Sequence, residues 1–373
     1  MIATILPSNI DAAGAPLLTV DRQALAENWR LLAGRVAPAE CGAVVKANAY
    51  GCGIEIAVPA LVAAGCRTFF VAHLSEARRV RAVAPSAVLY VLHGLPPGAA
   101  PLFLSIAARP VLGSRPEIEE WARHGAGQPA ALHVDTGMNR LGLRVDHALA
   151  LAADGAMTGS NIALLISHFV SSELAGDPMN GRQTAAFERV RAAFPGVPAS
   201  LANSSGIFLP EMTAGQLVRP GYALYGGNPT PGRSNPMRPV VRLDAPVVQV
   251  RDVPAGETVG YNAAWTAAGP RRIAVVAAGY ADGVDRRATA IDGTPGGHVL
   301  AAGHLCPVAG RISMDLITVD ITGLPDGAIR RGGCVTLIGG ELTVDRVAAQ
   351  IGTLGYEVLT RLAARVHRSV VDG

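Results

Sequence analysis

Between about residues 22 and 220 the chain alternates short apolar runs with longer stretches rich in Ala, Leu and Arg. The runs are apolar almost throughout, which is typical of parallel strands buried on both faces, and the stretches between them have helical character. Eight such units predict an α/β fold with a closed (β/α)8 TIM-type barrel. The predicted strands lie within residues 41–48, 67–74, 87–94, 108–114, 130–137, 162–169, 198–205 and 216–222.

A doubly wound open sheet is the structural alternative to a barrel. That fold places a glycine-rich GxGxxG turn after its first strand. The first run here contains AVVKANAYGCG (43–53), which matches that pattern poorly.

Several helix boundaries can be predicted between these runs. Ser75 is a plausible N-cap for the stretch SEARRVRAVA, with Glu76 in its first turn. Pro116 is expected near the start of the helix over RPEIEEWARH, and Gly125 at its end. The helix over QTAAFERVRAAF should end before Pro195.

Beyond about residue 235 the pattern changes to short runs punctuated by Pro and Gly, with few helical stretches before 343–366. This change predicts a second, mostly antiparallel β domain at the C-terminus. The predicted domains are a barrel over 16–238 and a β domain over 239–373. Residues 1–20 could pack with the second domain, because PLLTV (16–20) has the pattern of one of its strands.

Composition and charge exclude several classes of protein. Of 373 residues, half are hydrophobic and 16% are charged, which supports buried cores and argues against disorder. The net charge of +3 is spread without a dense basic cluster, so we expect no nucleic-acid partner. We also expect no membrane span, and the N-terminus lacks the basic start of a signal peptide.

The five cysteines are odd in number and lack zinc-like spacing, so we expect no metal site. Unpaired thiols are typical of a reduced, cytoplasmic protein.

Lysine occurs once among the 32 basic residues, as Lys46 in AVVKANAYG (43–51). A surface lysine is the common interpretation of such a residue. Arginine serves a solvated charge equally well, however, and only an amine can lose its proton and attack a carbonyl. The apolar residues before Lys46 would favour the neutral amine by desolvation, so Lys46 is a candidate nucleophile.

In a barrel, polar groups at the carboxyl ends of the strands converge on one mouth. Barrels of this kind often bind phosphate after strands seven and eight, where NSSG (203–206) and RPGY (219–222) offer small residues that let backbone N–H groups approach an anion. An ordinary Gly/Ser turn explains NSSG equally well. A reactive lysine together with a phosphate site suggests pyridoxal 5'-phosphate. The converging groups are Lys46, Arg140, His168, Asn203–Ser204 and Arg219.

At these positions the chain resembles the alanine racemase family of barrel-type, pyridoxal-phosphate-dependent isomerases. The resemblance covers nearly the whole chain and implies interconversion of L- and D-alanine through a cofactor aldimine by a two-base mechanism, supplying D-alanine for peptidoglycan. The matching segments are AVVKANAYG, VDTGMNRLG, SHF, NSSG, VRPGYALYG, VGYNAAW, GYADG, GRISMD and GYEVLTRLAARVHR.

The resemblance implies roles for the catalytic residues. Lys46 would form the internal aldimine and act as one base, and Tyr261 on the β domain would be the base on the opposite face of the substrate. Arg219 would face the pyridine nitrogen, to which a guanidinium donates a hydrogen bond without releasing a proton. His168 would link Tyr261 to Arg219, although a satisfied core histidine is the alternative.

The resemblance also implies the binding residues and the assembly. Arg140 and the backbone N–H of Met314 would hold the substrate carboxylate, and Tyr280 and Arg286 would line the access route, where Tyr280 limits side-chain size. Because Tyr261 and Met314 serve the neighbouring subunit's barrel in this family, a homodimer with shared active sites is implied. The phosphate-binding positions are Tyr50, Ser204, Gly221, Tyr222 and Tyr356, with Asn203 beside them.

Two positions depart from the family pattern. Many members carry a carbamylated lysine where this chain has His133, so His133 or a bound anion such as chloride is expected to orient Arg140 instead. Cys52 stands where a histidine is common, and its thiol could make the enzyme sensitive to oxidation.

Three alternative functions remain open from the sequence. A racemase of broader specificity, or one acting on serine, would differ in the pocket lined by Tyr280. A non-catalytic pyridoxal-phosphate-binding barrel would lack the second domain, which is present here. A decarboxylase on the same plan would be expected to place an acidic residue where Arg219 stands.

Overall fold

The structure is a computed structural model, and it describes residues 14–153, 160–210 and 215–373. These residues form two compact units. The barrel unit is Gln23–Arg238, and the β unit joins residues 14–22 to Pro239–Gly373. Residues 1–13 lie outside the described ranges, and the signal-peptide prediction concerns mainly those residues. No described helix combines the length and apolar character needed to cross a bilayer.

Within the described residues of the barrel unit, eight strands follow one another in parallel. Consecutive strands pair along the chain, as Ala43 does with Phe69 and Phe70 with Tyr90. The strands are Glu40–Cys41 continuing as Ala43–Val44, then Thr68–Val71, Val88–Val91, Arg109–Leu112, Ala130–Asp135, Ile162–Ile166, Ala199–Ser200 and Leu217–Val218, with Leu143–Arg144 as a short addition beside the fifth.

The last strand returns to the first and closes the ring. Leu217–Val218 pairs in parallel with Glu40–Cys41. The N–H of Arg219 donates to the carbonyl of Ala202 at 2.9 Å, which joins the seventh strand to the eighth. The predicted (β/α)8 barrel is therefore confirmed.

Helices occupy the connections between barrel strands, as the apolar periodicity predicted. The helix with Pro116 in its first turn has Gly125 as its C-cap, and the one predicted before Pro195 ends at Ala193. The helices are Arg22–Val36, Ile54–Ala64, Leu74–Val83, Ala100–Ser105, Arg115–His124, Val145–Ala153 and Pro178–Ala193, with 3-10 turns at Gly206–Phe208 and Tyr222–Tyr225.

The predicted N-cap Ser75 is wrong. The helix begins at Leu74, and its N-cap is His73. The reason is the Glu76 carboxylate, which accepts the N–H groups of Ala72 at 2.9 Å and His73 at 3.3 Å. These bonds satisfy donors that have no partner within the helix, so the helix can start before the serine.

The β unit contains an eight-stranded sheet in which all pairings but one are antiparallel. Its long strand Val241–Val253 pairs with Leu17–Asp21, and Leu17–Asp21 pairs in parallel with His367–Val371. A mostly antiparallel second domain is therefore confirmed. The other elements are strands Arg271–Val276, His298–Ala301, His304–Pro307, Ile317–Asp320 and Cys334–Ile338, the hairpin Thr258–Val259 with Trp265–Thr266, helices Val344–Gln350 and Gly355–Thr360, and 3-10 turns Tyr261–Ala263, Tyr280–Asp282 and Arg286–Ala288.

Each unit has its own apolar core. Burial of these side chains supplies the main stabilisation, at about 25 cal/mol per Å² of apolar surface removed from water. The barrel interior is filled by side chains rather than open, so its chemistry belongs at the strand ends. Fully buried barrel residues include Phe69, Phe70, Leu89, Leu132 and Val134, and a β-unit cluster contains Val253, Val259, Ala267, Ile273 and Ala309.

Candidate active site

Lys46 lies directly after the first barrel strand, at the carboxyl end of the barrel, where its side chain reaches solvent. The two residues before it, Val44 and Val45, are buried. Burial and then the nearby charge of Arg140 lower the pKa of Lys46, while Glu76 acts in the opposite direction. Lowering this pKa increases the fraction of neutral amine, which is the form that attacks a carbonyl carbon.

The chain leaves Lys46 through a left-handed turn. Ala47, Asn48, Ala49 and Tyr50 have φ values of 52°, 56°, 55° and 50°, and none of them is glycine. Left-handed backbone costs about 1–2 kcal/mol per residue for a side chain with a Cβ, although Asn tolerates it better. Such conformations persist where the surrounding structure enforces them, and they cluster at functional sites.

Arg219 follows the eighth barrel strand, and its side chain is buried. One guanidinium nitrogen donates to the carbonyl and the hydroxyl of Ser200 at 2.7 and 2.6 Å, and the other donates to the carbonyl of Ser167 at 2.5 Å. Burial lowers the pKa of Arg219 to about 10. The side chain is therefore a fixed cation at neutral pH that can donate hydrogen bonds without releasing a proton.

His168, at the end of the sixth strand, contacts this arginine. Its Nδ1 lies 3.4 Å from a terminal nitrogen of Arg219. Burial first, then the charges of Arg219, Arg140 and Lys46, lower the pKa of His168 to about 3. The ring is consequently neutral at physiological pH, and a neutral Nδ1 without hydrogen can accept from the guanidinium.

His133 and Arg140 occupy the fifth strand and the loop after it. No hydrogen bond between them is present in the described residues, so a direct contact does not support the expectation that His133 orients Arg140. Burial, followed by the charge of Arg219, lowers the pKa of His133 to about 4, while Asp135 acts in the opposite direction and Arg140 has a smaller lowering effect. The ring is thus neutral at physiological pH, and anion binding near Arg140 stays a prediction.

The turns after strands seven and eight are joined by Ser204. Its hydroxyl oxygen accepts the N–H groups of Gly221 at 3.0 Å and Ala223 at 3.2 Å. Gly221 has a φ of −127°, which any residue can adopt, but a Cβ there would lie 2.4 Å from the Tyr50 hydroxyl. Close approach therefore requires the glycine, and it brings Tyr50 of the lysine loop against the predicted phosphate turn.

Neighbouring side chains fix this region. The Tyr50 ring stacks on Tyr225 at 4.7 Å between ring centroids, and Tyr222 is buried. The amide oxygen of Asn203 accepts the N–H of Gly206 at 2.9 Å and the Ser172 hydroxyl at 2.8 Å. Asn203 therefore shapes the turn that carries Ser204. The site therefore combines an amine that can lose its proton, fixed cations and a closely packed glycine turn. These features suit the binding of a phosphorylated aldehyde.

The other five predicted site residues belong to the β unit, and all of them are exposed. Tyr261 is 67% exposed, on a turn that starts after Gly260 at a φ of +80°. The other exposed members of this set are Tyr280, Arg286, Met314 and Tyr356.

Tyr280 and Met314 are held together by backbone contacts. The N–H of Tyr280 donates to the carbonyl of Ser313, and that of Ala281 to the carbonyl of Met314, both at 3.1 Å. A Cβ at Gly279 would lie 2.2 Å from the Met314 carbonyl oxygen, so a larger residue would separate the two loops. Among the described residues, no acceptor is paired with the Met314 N–H, which is the group predicted to bind carboxylate.

Two ionic networks fix the loops that carry these residues. Arg365 forms a two-pronged bond to buried Asp282 at 2.7 and 2.9 Å and also reaches Asp315 at 2.8 Å. The second network joins Asp285 and Glu357 through Arg287 and Arg361. Sequence reasoning missed both networks, because the partners lie up to 83 positions apart and charged pairs carry no local pattern.

The barrel unit also contains functional residues that the sequence did not indicate. Ser167 and Ser200 hold Arg219, and Asn48 lies in the left-handed turn. For Asn48 a signal existed, since Asn is the side chain that best tolerates positive φ. Cys52 is fully buried, so its oxidation would require local opening.

Comparisons with known proteins cover both units. The family model described as the alanine racemase N-terminal domain matches residues 20–229, and the model for the alanine racemase C-terminal domain matches residues 240–370. An alanine racemase from Methylobacterium sp. (strain 4-46) is 58% identical over 359 residues, covering 95% of this chain and 97% of that protein.

Two further similarities bear on role and cofactor. A protein from Mesorhizobium japonicum named alanine racemase, catabolic, is 43% identical and covers 97% of this chain and 95% of its own length. The crystal structure of alanine racemase from Bartonella henselae with covalently bound pyridoxal phosphate has a TM-score of 0.90 at 39% identity. It covers 96% of this chain and 99% of that one.

Proposed function

Because this chain belongs to the alanine racemase family, we propose that it interconverts L- and D-alanine with pyridoxal 5'-phosphate joined to Lys46. The observation that carries the proposal is the only lysine of the chain, at the barrel mouth with a lowered pKa. When bound, the cofactor supplies a conjugated ring that stabilises negative charge on the substrate α-carbon. Every other part of the reaction falls to side chains of this protein.

We propose that the phosphate is held where Ser204 gathers backbone N–H groups and Tyr50 packs against Gly221. These contacts suit an anion because small residues allow close approach of backbone donors. A remaining N–H group of Arg219 would donate a hydrogen bond to the pyridine nitrogen. Arg219 would not transfer its proton to that nitrogen, since the pKa of Arg219 stays near 10. An unprotonated ring nitrogen withdraws electrons less strongly, which limits side reactions such as transamination. The other proposed contributors are His168, Asn203, Tyr222 and Tyr356.

We propose two bases, one for each face of the substrate. Lys46 Nζ would exchange a proton with the α-carbon on one side, and the Tyr261 hydroxyl oxygen on the other. A neutral phenol is a weak base, so Tyr261 needs nearby positive charge to serve as the second base. His168 beside Arg219 is the proposed link through which that charge reaches Tyr261.

We propose that Tyr261 acts in the barrel of a second copy, giving a homodimer with shared sites. The support is its 67% exposure, together with the exposed side chains of Met314, Leu316 and Leu354 in the same unit. Analytical ultracentrifugation should find a dimer. Mixing inactive Lys46→Arg and Tyr261→Phe subunits should restore part of the activity, since one kind of mixed site would then be intact.

Substrate selection is proposed to combine charge and size. Arg140 and the Met314 N–H would bind the carboxylate, while Tyr280 and Arg286 would line the access route and favour a small side chain. Serine is the second candidate substrate, because a hydroxymethyl group is only slightly larger than a methyl group. Comparing kcat/KM for L-alanine, L-serine and L-lysine separates these possibilities.

We propose a cytoplasmic enzyme that supplies D-alanine for peptidoglycan. None of the five cysteines, all in described residues, forms a disulfide, which supports a reducing compartment. A catabolic role is the alternative, since the Mesorhizobium relative carries that name. A deletion strain that requires D-alanine for growth would support the biosynthetic role, and one that only fails to grow on alanine as carbon source would support the catabolic role.

The direct test of activity is a chirality assay with L- and D-alanine. Wild type should racemise both enantiomers. Lys46→Arg should lose the absorbance of bound cofactor and all turnover, whereas Tyr261→Phe should keep the absorbance and lose most turnover. Racemisation by Tyr261→Phe at the wild-type rate would show that the two-base assignment is wrong.

A further inference from the structure

The left-handed turn after Lys46 needs an external support. Four consecutive residues that carry a Cβ, Ala47 to Tyr50, hold positive φ, a conformation that is unfavourable for such residues in isolation. Two backbone bonds run along the turn. The N–H of Ala49 donates to the carbonyl of Val45 and that of Gly51 to the carbonyl of Ala47, both at 2.9 Å.

Asn48 connects this turn to its surroundings through three groups. Its N–H donates to the Glu76 carboxylate at 3.3 Å, and its carbonyl accepts the N–H of Gly53 at 2.8 Å. Its side-chain oxygen accepts from Arg79 at 2.7 Å and from the N–H of Ile54 at 3.3 Å. Asn48, the second residue of the turn, is therefore hydrogen-bonded to its surroundings through both its backbone and its side chain.

The groups that hold Asn48 are themselves fixed by two helices. Arg79, on the helix Leu74–Val83, makes a forked bond to Glu55 of the helix Ile54–Ala64 at 2.8 and 2.6 Å. Glu76 accepts the N–H groups at the start of its own helix with the oxygen that does not face Asn48. We call Asn48, Arg79, Glu55 and Glu76 the turn clamp.

We propose that the turn clamp is a positioning device that fixes Lys46 Nζ and the Tyr50 hydroxyl relative to the phosphate turn at Gly221. Its consequence for cofactor binding rests on the proposed function above. Fold stability is a poor explanation of the clamp, because the Arg79 and Glu55 side chains are 40% and 52% exposed. Exposed ion pairs contribute little to global stability.

The test compares matched variants of the full-length protein. Arg79→Gln removes the fork and the bond to Asn48, and Arg78→Gln is its control on the same helix, at an exposed position. Glutamine keeps Lys46 as the only lysine. Asn48→Ala removes the side-chain acceptor, whereas Asn48→Asp keeps an acceptor for Arg79. Amide exchange is measured without cofactor, and the affinity for pyridoxal 5'-phosphate from the absorbance of the lysine-bound form.

In Arg79→Gln and Asn48→Ala, we expect the amides of residues 48, 49 and 51 to exchange about tenfold faster and the cofactor to bind about tenfold more weakly. The melting temperature should stay unchanged in Arg79→Gln, whereas Asn48→Ala also loses the tolerance of Asn for positive φ. A tenfold change corresponds to about 1.4 kcal/mol. Asn48→Asp should restore affinity to near the wild-type value, and Arg78→Gln should alter neither quantity.

The proposal would be overturned if the amides of residues 47–53 exchanged as slowly in Arg79→Gln and Asn48→Ala as in the control Arg78→Gln. It would also be overturned if these amides exchanged faster while the affinity for pyridoxal 5'-phosphate stayed unchanged. Should Asn48→Ala fail to fold, Arg79→Gln alone decides. If the wild type takes up no cofactor at Lys46, the proposed function fails, and the exchange arm, which needs no cofactor, still decides whether the clamp holds the turn.

Discussion

The barrel mouth and the exposed face of the β unit both carry arginines, but the two regions hold them differently. At the mouth, Arg219 is buried and bonded to two serine carbonyls and a hydroxyl, with no carboxylate partner in the described residues. On the β unit, exposed Arg287 pairs with Asp285 and Glu357. Arg219 therefore keeps a positive charge that no described carboxylate compensates, whereas the charge of Arg287 is neutralised by its two partners.

This difference teaches what each region can do. Carboxylates near the mouth are occupied by backbone donors, as Asp135 is by the N–H groups of Gly137 and Met138 at 2.8 Å each. The remaining cations can attract an anionic cofactor, and one of them, Arg140, adds to the effect of burial in lowering the pKa of Lys46. The paired charges of the β unit instead fix loops, by joining partly exposed arginines to the buried carboxylates of Asp282 and Asp285.

The largest effect is expected from Arg219→Met. The substitution removes the charge and leaves the buried Ser167 carbonyl and Ser200 hydroxyl without the guanidinium donor, while the Ser200 carbonyl keeps the N–H of Ser167. We expect the free energy of unfolding to decrease by on the order of 3 kcal/mol, because unsatisfied buried polar groups destabilise the folded state. Urea denaturation checks this loss. A loss that disappears in high salt would contradict the burial argument, since buried interactions are screened little.

The second effect is a loss of stability in acid caused by His168. Its pKa falls from about 6.5 in the unfolded chain to about 3 in the fold, so the unfolded state binds a proton first as pH decreases. Between those values stability should fall with decreasing pH by up to about 1.4 kcal/mol per pH unit, with no contribution above pH 6.5.

Urea titrations at several pH values measure that slope, and His133, with a pKa of about 4, adds to it in the same direction. His168→Asn should flatten the slope, whereas replacing exposed His124 should leave it unchanged. An identical slope in wild type and His168→Asn would show that His168 is not held neutral by the fold.

A smaller effect is expected from Gly221→Ala. The new methyl would lie 2.4 Å from the Tyr50 hydroxyl, so Tyr50 must move away from the proposed phosphate turn. We expect the affinity for pyridoxal 5'-phosphate to drop about tenfold, or about 1.4 kcal/mol. Gly34→Ala is the matched control, because no atom lies within 4 Å of its added Cβ. Equal affinities in the two variants would exclude close packing as the role of Gly221.

The smallest effect is expected from Arg287→Met, the β-unit counterpart of Arg219→Met. The Arg287 side chain is 45% exposed and Asp285 keeps Arg361 as a partner, so the melting temperature should change by less than roughly 2 °C. Differential scanning calorimetry at low and high salt measures the change. A drop as large as that of Arg219→Met would remove the distinction between the two regions.

Much of the fold and of the site could be predicted from the sequence because both have local patterns. Buried parallel strands are continuous apolar runs, so the eight strands were visible, and helix ends such as Gly125 follow simple capping rules. Lys46 could be singled out because it is the only lysine and every other residue in the Lys+Arg count is arginine. Because Lys46, His168 and Arg219 each follow a barrel strand, they were predicted to lie on the same side of the barrel.

The remaining features depend on contacts between distant residues. Glu76 was correctly predicted in the first turn of its helix, but the sequence did not indicate that its carboxylate accepts N–H groups at the helix start and that of Asn48, 28 positions away. No sequence pattern predicts that Arg79 supports a left-handed turn, or that Asp282 forms an ion pair with Arg365. Tertiary packing decides these contacts, and it overrides local propensity.

The central claim is that one amine at the barrel mouth holds the cofactor covalently. Cofactor-loaded protein can be treated with borohydride, which makes that bond permanent, and then digested and analysed by mass spectrometry. The peptide containing Lys46 should carry the added pyridoxyl mass, and no other peptide should. Recovery of that peptide unmodified from fully loaded protein would contradict the account.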